Sequence, residues 1–229
     1  MGSSNQVNIA ILSDEDIPTC FEVLSKSFAH NAPFVDIYFP NHDTPSGQVQ
    51  GSERLAAWMR ASENSTFLKA VIPSTQDAHK PAHENIAGFA IWTFMKEAPP
   101  AELEEAENVE IWPDEGDRKF MASLWKDYVI PRTQVINDAG GKGVYVLELL
   151  AVHPGYQRLG AGAALVRWGT SAADEQGVKA VVEGTPAGRP LYAKCGFRTE
   201  IEEMRFDTGE EFAERRKPTL VFMTREPQS

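Results

Sequence analysis

Val7, Ile9 and Ile11 alternate with polar or small residues, a period of two that predicts a first strand. The period then lengthens. Ile17, Cys20, Phe21, Leu24 and Phe28 fall at helical spacing behind a capping-box-like pair, Ser13 and Asp16, predicting a helix over 14–29. The stretch Asn31–Gly51, rich in Pro, Asn and Asp, reads as loop, and Leu55, Trp58 and Met59 mark a short second helix. Thr66–Ile72 and Ile86–Phe94 are strand-like runs, with the polar segment Pro73–Asn85 expected to join them as a hairpin loop.

Lys96–Gly143 is irregular by this measure. Its first part is acidic; its second places Phe120, Met121, Leu124, Trp125 and Tyr128 on one helical face, with Pro131 expected to limit that helix. Gly140, Gly141 and Gly143 form a turn. Val144–Val152 is a near-continuous apolar run, the pattern of a buried central strand. A glycine-rich turn follows, then a helix through Gln176, closed by Gly177, with Leu165, Trp168, Ala172 and Ala173 as its buried stripe. Val178–Glu183 reads as a strand, Pro190–Cys195 as a short helix, and Thr199–Phe206 and Thr219–Thr224 as closing strands. The order predicts one mixed α/β domain over residues 1–229, without repeats or linkers.

Composition narrows the function classes. A net charge of -11 disfavours nucleic-acid binding by bulk electrostatics, because a phosphate polymer needs a basic face. It leaves room for a single phosphate ligand held by backbone N–H groups. Two cysteines permit no disulfide framework and no CxxC metal site, which points to a reducing, cytoplasmic setting. No run of 18 apolar residues predicts a membrane span, and the N-terminal residues lack the pattern of a secretory signal. Position 6 is Gln rather than Ser or Thr, against myristoylation at Gly2.

The richest chemistry lies after the apolar strand. A strand ending near Pro154 and a helix beginning near Gly160–Gly162 would leave the helix's first N–H groups unpaired, backed by the positive end of its dipole. Two glycines there admit an anion to the backbone, although close helix–strand packing explains a GxG equally well. The nucleotide fingerprints fail: position 165 is Leu, and there is no GxxxxGK[ST]. The segment Val152-His153-Pro154-Gly155-Tyr156-Gln157-Arg158-Leu159-Gly160-Ala161-Gly162-Ala163 resembles the acetyl-CoA signature of the GNAT superfamily, Gln/Arg-x-x-Gly-x-Gly/Ala. The preceding LELLAVHP is similar to that family's fourth strand, and Leu191-Tyr192-Ala193-Lys194-Cys195-Gly196-Phe197 to its late helix. Together the motifs cover about residues 144–200.

The resemblance implies a GNAT-like α/β (α+β) domain: a central mixed, mostly antiparallel sheet flanked by helices, with 96–143 as a long acceptor-side insertion before the fourth strand. It implies acetyl-CoA as donor, CoA as product and no metal. It implies N-acetylation of a primary amine by direct attack in a ternary complex, in a fungal or bacterial small-molecule type of member. In that reading Leu150, Ala151 and Val152 carry the pantetheine arm through the backbones of Leu150 and Val152. Gln157, Arg158, Leu159, Gly160, Ala161, Gly162 and Ala163 form the pyrophosphate cradle, and Tyr192 protonates the leaving thiolate. Where relatives often carry Asn, seven residues before this Tyr, this chain has Thr185.

A base is also required. Glu148 lies four residues before Val152, so strand alternation puts the two on one face. A carboxylate inside YVLELLAV needs either a partner or a task. Glu183 is the second candidate, as base or as anchor for a substrate ammonium. His79 and His83 have HxxxH spacing, but Pro81 between them argues against a metal site. Cys195 reads as packing. The acidic run 102–117 reads as a solvated face or, alternatively, as a lure for a cationic amine. Trp92, Phe94, Trp112, Trp125 and Tyr128 wall an acceptor pocket or fill the core. A small-molecule acceptor is favoured because 96–143 looks able to cover the cleft. The other readings are a protein or peptide amine as acceptor and a non-catalytic acyl-CoA-binding module; a homodimer is left open.

Overall fold

The computed structural model describes residues 7–72, 85–106, 111–112 and 114–228. The chain runs β1 (Asn8–Ile11), α1 (Ile17–Phe28), α2 (Pro33–Tyr38), α3 (Pro45–Ala61), β2 (Ser65–Ile72), β3 (Asn85–Met95), α4 (Leu103–Ala106) and α5 (Glu115–Asp138). It continues through β4 (Val144–Val152), α6 (Ala161–Gln176), β5 (Ala180–Gly184), α7 (Arg189–Lys194), β6 (Arg198–Ile201) and β7 (Val221–Arg225). The strands form one seven-stranded sheet in the order β1-β2-β3-β4-β5-β7-β6. Every neighbouring pair is antiparallel except β4 and β5, which are parallel and linked by α6. The mixed, mostly antiparallel sheet flanked by helices is therefore present.

The helices divide between the faces. On one, α6 and α7 cover Trp92, Leu147, Val182 and Met223. On the other, α1 and α3 cover Phe67, Phe89, Ile91 and Ala151, while α5 covers Val144, Val146, Val181 and Phe222. The sheet thus carries an apolar layer on both sides, which is why β4 reads as a continuous apolar run rather than an alternating one.

Two expectations fail. The stretch 31–51 contains α2 and the first turns of α3 rather than loop only. Pro33 and Pro45 occupy first-turn positions, where a missing N–H costs nothing and the fixed φ suits the helix. Thr44 caps α3, its hydroxyl accepting from Gly47 N–H at 3.0 Å. The short second helix is consequently a 17-residue one. Pro131 likewise does not end its helix: α5 runs 24 residues straight through it. Phe120, Leu124, Trp125 and Val129 before the proline, and Arg132 and Ile136 after it, are buried against the same layer. That burial outweighs the roughly 3 kcal/mol an interior proline costs. The region 96–143 is accordingly built around a core helix. The expected hairpin loop between β2 and β3, with His79 and His83, lies outside the described residues.

Candidate active site

The end of β4 and the start of α6 are arranged as the glycine-rich segment suggests. After Val152 the chain makes one 3-10 turn at Pro154–Tyr156, where His153 Nδ1 accepts from Gly155 N–H at 3.1 Å. The segment from Gln157 to Gly160 is solvent-exposed. Gly160, at φ 96°, is the N-cap of α6 and supplies no side-chain cap. The first intrahelical acceptor is Gly160 C=O, bonded by Ala164 N–H at 2.9 Å. Among the described residues, none accepts from the N–H groups of Ala161, Gly162 or Ala163. The two glycines serve different ends. Gly160 provides a left-handed backbone that a side chain would strain. At Gly162 an added Cβ would stand 3.1 Å from Leu191 of α7, so this glycine serves close packing as well.

Beside that turn the sheet opens. β4 and β5 pair only at Tyr145–Ala180 and Val146–Val181, although β4 continues to Val152 and β5 to Gly184. Leu150, Ala151 and Val152 pair on their other side with Ala90, Phe89 and Gly88 of β3. Their edge toward β5 faces the opening.

The position of Glu148 corrects the alternation argument. Trp92 of β3 pairs with Leu147, but its neighbour Ile91 pairs with Leu149, leaving Glu148 as the extra residue of a β-bulge. A bulge inserts one residue and reverses the alternation beyond it. Leu147, Leu150 and Val152 therefore pack on the α6 face, whereas Glu148 turns to the α5 face together with Val144 and Val146. Glu148 and Val152 are on opposite faces.

There Glu148 meets Glu183, and a residue the sequence reading did not single out brings them together. Arg132 of α5 donates through Nη1 to both Glu148 oxygens, at 3.0 and 3.1 Å. Through Nε and Nη2 it donates to Glu183, at 2.9 and 2.6 Å. Its Nη2 also donates to the Tyr128 hydroxyl at 2.8 Å. One guanidinium so spans β4 and β5 where their backbones part. The Arg132 and Glu183 side chains are 2% and 0% exposed, while Glu148 keeps 13%. Of the two carboxylates, only Glu148 is reachable. With both ionised the trio carries one positive and two negative charges, a net -1. Burial is the main cause that raises the Glu148 pKa above the carboxylate range; Glu183 adds to it, and Arg132 opposes it. The signal available in the sequence was an arginine at helical spacing from Tyr128 and Val129, on the apolar face of α5.

Tyr192 sits on the opposite face. Its ring is 6% exposed and packs near Phe197, at 6.1 Å between centroids. It lies against Gly184 at the end of β5 and Gly188 in the following turn: a Cβ at either would fall 2.4 or 2.8 Å from the ring. Among the described residues, none hydrogen-bonds its hydroxyl. Burial holds its pKa well above the usual phenol value, with Cys195 adding to the effect. Thr185 accepts from Gly188 N–H through its hydroxyl at 3.3 Å, so it shapes the turn that seats Tyr192. The two motifs therefore meet at Gly162–Leu191, and Tyr192 packs beside them against Gly184 at the end of β5.

Residues 128–199, which contain Arg132, Glu148, the helix-capping turn, Glu183 and Tyr192, match the model of the acetyltransferase (GNAT) domain. By that match the stretch 128–199 is a GNAT acetyltransferase domain. No curated protein sequence matches the chain. Among solved structures it is similar in fold to arylalkylamine N-acetyltransferase 2 from Aedes aegypti, at TM-score 0.63 and 14% identity over 98% of this chain and 100% of that one. It is also similar to a protein described as histone acetyltransferase HPA2 and related acetyltransferase from Corynebacterium glutamicum, at TM-score 0.59 and 16% identity over 97% of each chain. A third is yncA from Salmonella typhimurium, solved with its cofactor acetyl-CoA, at TM-score 0.52 and 15% identity over 98% of this chain and 96% of that one.

The remaining candidates have structural partners. Trp92, Trp112 and Trp125 are buried core residues whose indole N–H groups donate to the carbonyls of Leu165, Ile37 and Pro100. Phe94 is half-buried against Tyr145 at 5.1 Å, and Tyr128 is engaged with Arg132. In the acidic run, Glu102 pairs with Lys126, Glu115 with Lys119 and Asp117 with Arg215, so much of its charge is answered locally. Cys195 is buried in the α6-side cluster, as packing requires. Among the described residues no helix is long and apolar enough to cross a membrane.

Proposed function

We propose that this GNAT domain transfers an acetyl group from acetyl-CoA to a small primary amine. The observation that carries this reading is the unpaired edge of β4 beyond Val146, leading to three unpaired N–H groups at the head of α6. An edge of backbone amides suits a pantetheine arm, and free N–H groups at a helix start suit a pyrophosphate. In this reading Leu150, Ala151 and Val152 hold the arm. The turn from Gln157 through Arg158, Leu159, Gly160, Ala161, Gly162 and Ala163 holds the phosphates, with Arg158 as the added positive charge. The residues fit the donor because the donors needed are backbone ones, which an acidic protein has without basic side chains.

Acetyl-CoA supplies the activated acyl group. Glu148 and Tyr192 lie on opposite faces of the sheet, on either side of the gap, a separation that supports distinct roles as base and acid. Glu148 takes the proton that the attacking ammonium must lose. Its raised pKa makes it a better base than an exposed carboxylate, and the net -1 of its cluster leaves room for one proton. Tyr192, free of other partners among the described residues, gives its phenolic proton to the departing sulfur; burial makes it a weaker acid than a free phenol, so the charge developing on the sulfur has to offset that shift. The slight exposure of Glu148 admits a slender amine more readily than a folded polypeptide surface, which supports a small acceptor. Two buried, unpaired cysteines suit a reducing, cytoplasmic setting.

The deciding measurement is CoA release with a panel of amines. Tyr192→Phe is expected to lower turnover by about 10²-fold while acetyl-CoA binding, followed by calorimetry, survives. An unchanged turnover number would remove Tyr192 from the chemistry. Gly160→Val is expected to weaken acetyl-CoA more than about tenfold, because valine at φ 96° distorts the turn that presents the N–H groups. Affinity within a factor of about two of wild type would mean that the phosphates lie elsewhere.

A further inference from the structure

The helical layer holds a cluster that acyl transfer does not use. His30 follows α1, Asp36 lies on α2, and His42 and Asp43 lie in the turn before α3. His30 Nδ1 is 2.7 Å and His42 Nε2 is 3.3 Å from the same oxygen, Asp36 Oδ1. Donor atoms of the three side chains all lie within 4.8 Å of one another. His42 is fully buried and His30 exposed. Each imidazole has its second nitrogen engaged outside the cluster: His42 Nδ1 is 2.8 Å from Ser25 Oγ, and His30 Nε2 is 3.3 Å from Asp43 Oδ2. Arg216 steadies the loop by donating to the carbonyls of His30 and Asn31, at 2.7 and 3.4 Å.

This arrangement is what ligating imidazoles need. One nitrogen must be bare and turned inward, while the other N–H is donated to an outer carboxylate, hydroxyl or carbonyl that fixes the ring. The Ser25 hydroxyl donates to His42 C=O at 3.1 Å, so its oxygen is left to accept Nδ1–H from His42. In that tautomer the Nε2 lone pair faces the Asp36 carboxylate, a repulsion that a cation between them relieves. We propose that His30 Nδ1, Asp36 Oδ1 and His42 Nε2 form a three-ligand site for a borderline divalent cation of the Zn²⁺ class, with Asp43 and Ser25 as outer partners.

Two imidazoles and a carboxylate are a donor set of Zn²⁺, with a fourth tetrahedral position left to water. Bonds of about 2.0–2.2 Å at tetrahedral angles put ligand atoms about 3.4 Å apart. His42 and Asp36 already have that spacing, and the exposed ring of His30 has to draw back from Asp36 by about 0.7 Å to match it. The site ties the end of α1, α2 and the entry to α3 together, and shares no residue with the proposed acyl-transfer site. Spacings of six and six residues through Pro-rich chain match no metal motif, so residue order alone does not mark the site.

The test uses the full-length chain without an affinity tag, stripped with chelator and titrated with Co²⁺ and then Zn²⁺. One equivalent of Co²⁺ should give the intense visible bands of a tetrahedral site, and one equivalent of Zn²⁺ should displace it and raise Tm. His30→Ala, at an exposed position that leaves the core intact, should abolish the bands and the Tm rise. Ser25→Ala should weaken Zn²⁺ by about 10–100-fold, as loss of an outer partner does. Circular dichroism establishes that each variant is folded. Absence of the tetrahedral bands in the wild-type chain, or bands and Tm rise unchanged in His30→Ala, overturns the proposal.

Discussion

Arg132→Ala is expected to destabilise the protein by about 3–5 kcal/mol, the usual result of removing one partner from a buried ion cluster. The substitution leaves Glu148 and Glu183 together without a counter-charge, and removes the tie between β4 and β5 where backbone pairing has stopped. The pH dependence has a definite sign. Without Arg132, the folded state has to hold at least one of these carboxyls protonated, so their folded pKa values rise above the unfolded ones. That contribution is intact at low pH and is lost as pH rises, so the variant should fall furthest behind wild type above neutrality. Urea unfolding at two pH values measures it. The triple change Arg132→Met, Glu148→Gln and Glu183→Gln, which removes the charges together, should recover much of the loss. A loss under about 1 kcal/mol for Arg132→Ala would mean that water screens the cluster.

Glu148→Gln is expected to separate chemistry from stability. Glutamine keeps the shape and can still accept from Arg132, while Arg132 and Glu183 remain as a one-to-one pair. The fold should therefore hold, and the Tm should change little. Loss of the base should lower kcat/KM by about 10²–10⁴-fold. It should also remove the limb of the pH–rate profile in which activity rises as Glu148 loses its proton. In wild type that limb lies above the ordinary carboxylate range, because burial raises the Glu148 pKa. If the variant kept the wild-type limb, the base would be another group; if it simply unfolded, Glu148 would be structural.

Much of this was legible from residue order. The run VYVLELLAV betrayed a strand covered on both faces, and the glycines after it betrayed a helix start free of side-chain caps. What escaped was set by packing between distant segments. Nothing local marks Glu148 as the bulged residue, since a bulge is a mismatch between two strands, and the alternation rule put its side chain on the wrong face. Arg132 escaped because a lone cation on a helix says nothing until two strands bring carboxylates to it. Pro131 misled for the same reason: its local cost is outweighed by a long buried face that only the sheet reveals. The prolines at 33 and 45 misled in the opposite direction, being helix starters taken for breakers.

The short seam between β4 and β5 bears on when the protein is mechanically whole. Two residue pairs join the panel of β1 to β4 to the panel of β5 to β7, and from there the strands diverge like the leaves of a partly opened book. A guest whose amides line that divergence would serve as a temporary eighth strand. On the proposed reading the donor is thus a removable piece of secondary structure, and each turnover dismantles part of the sheet that the next donor molecule rebuilds.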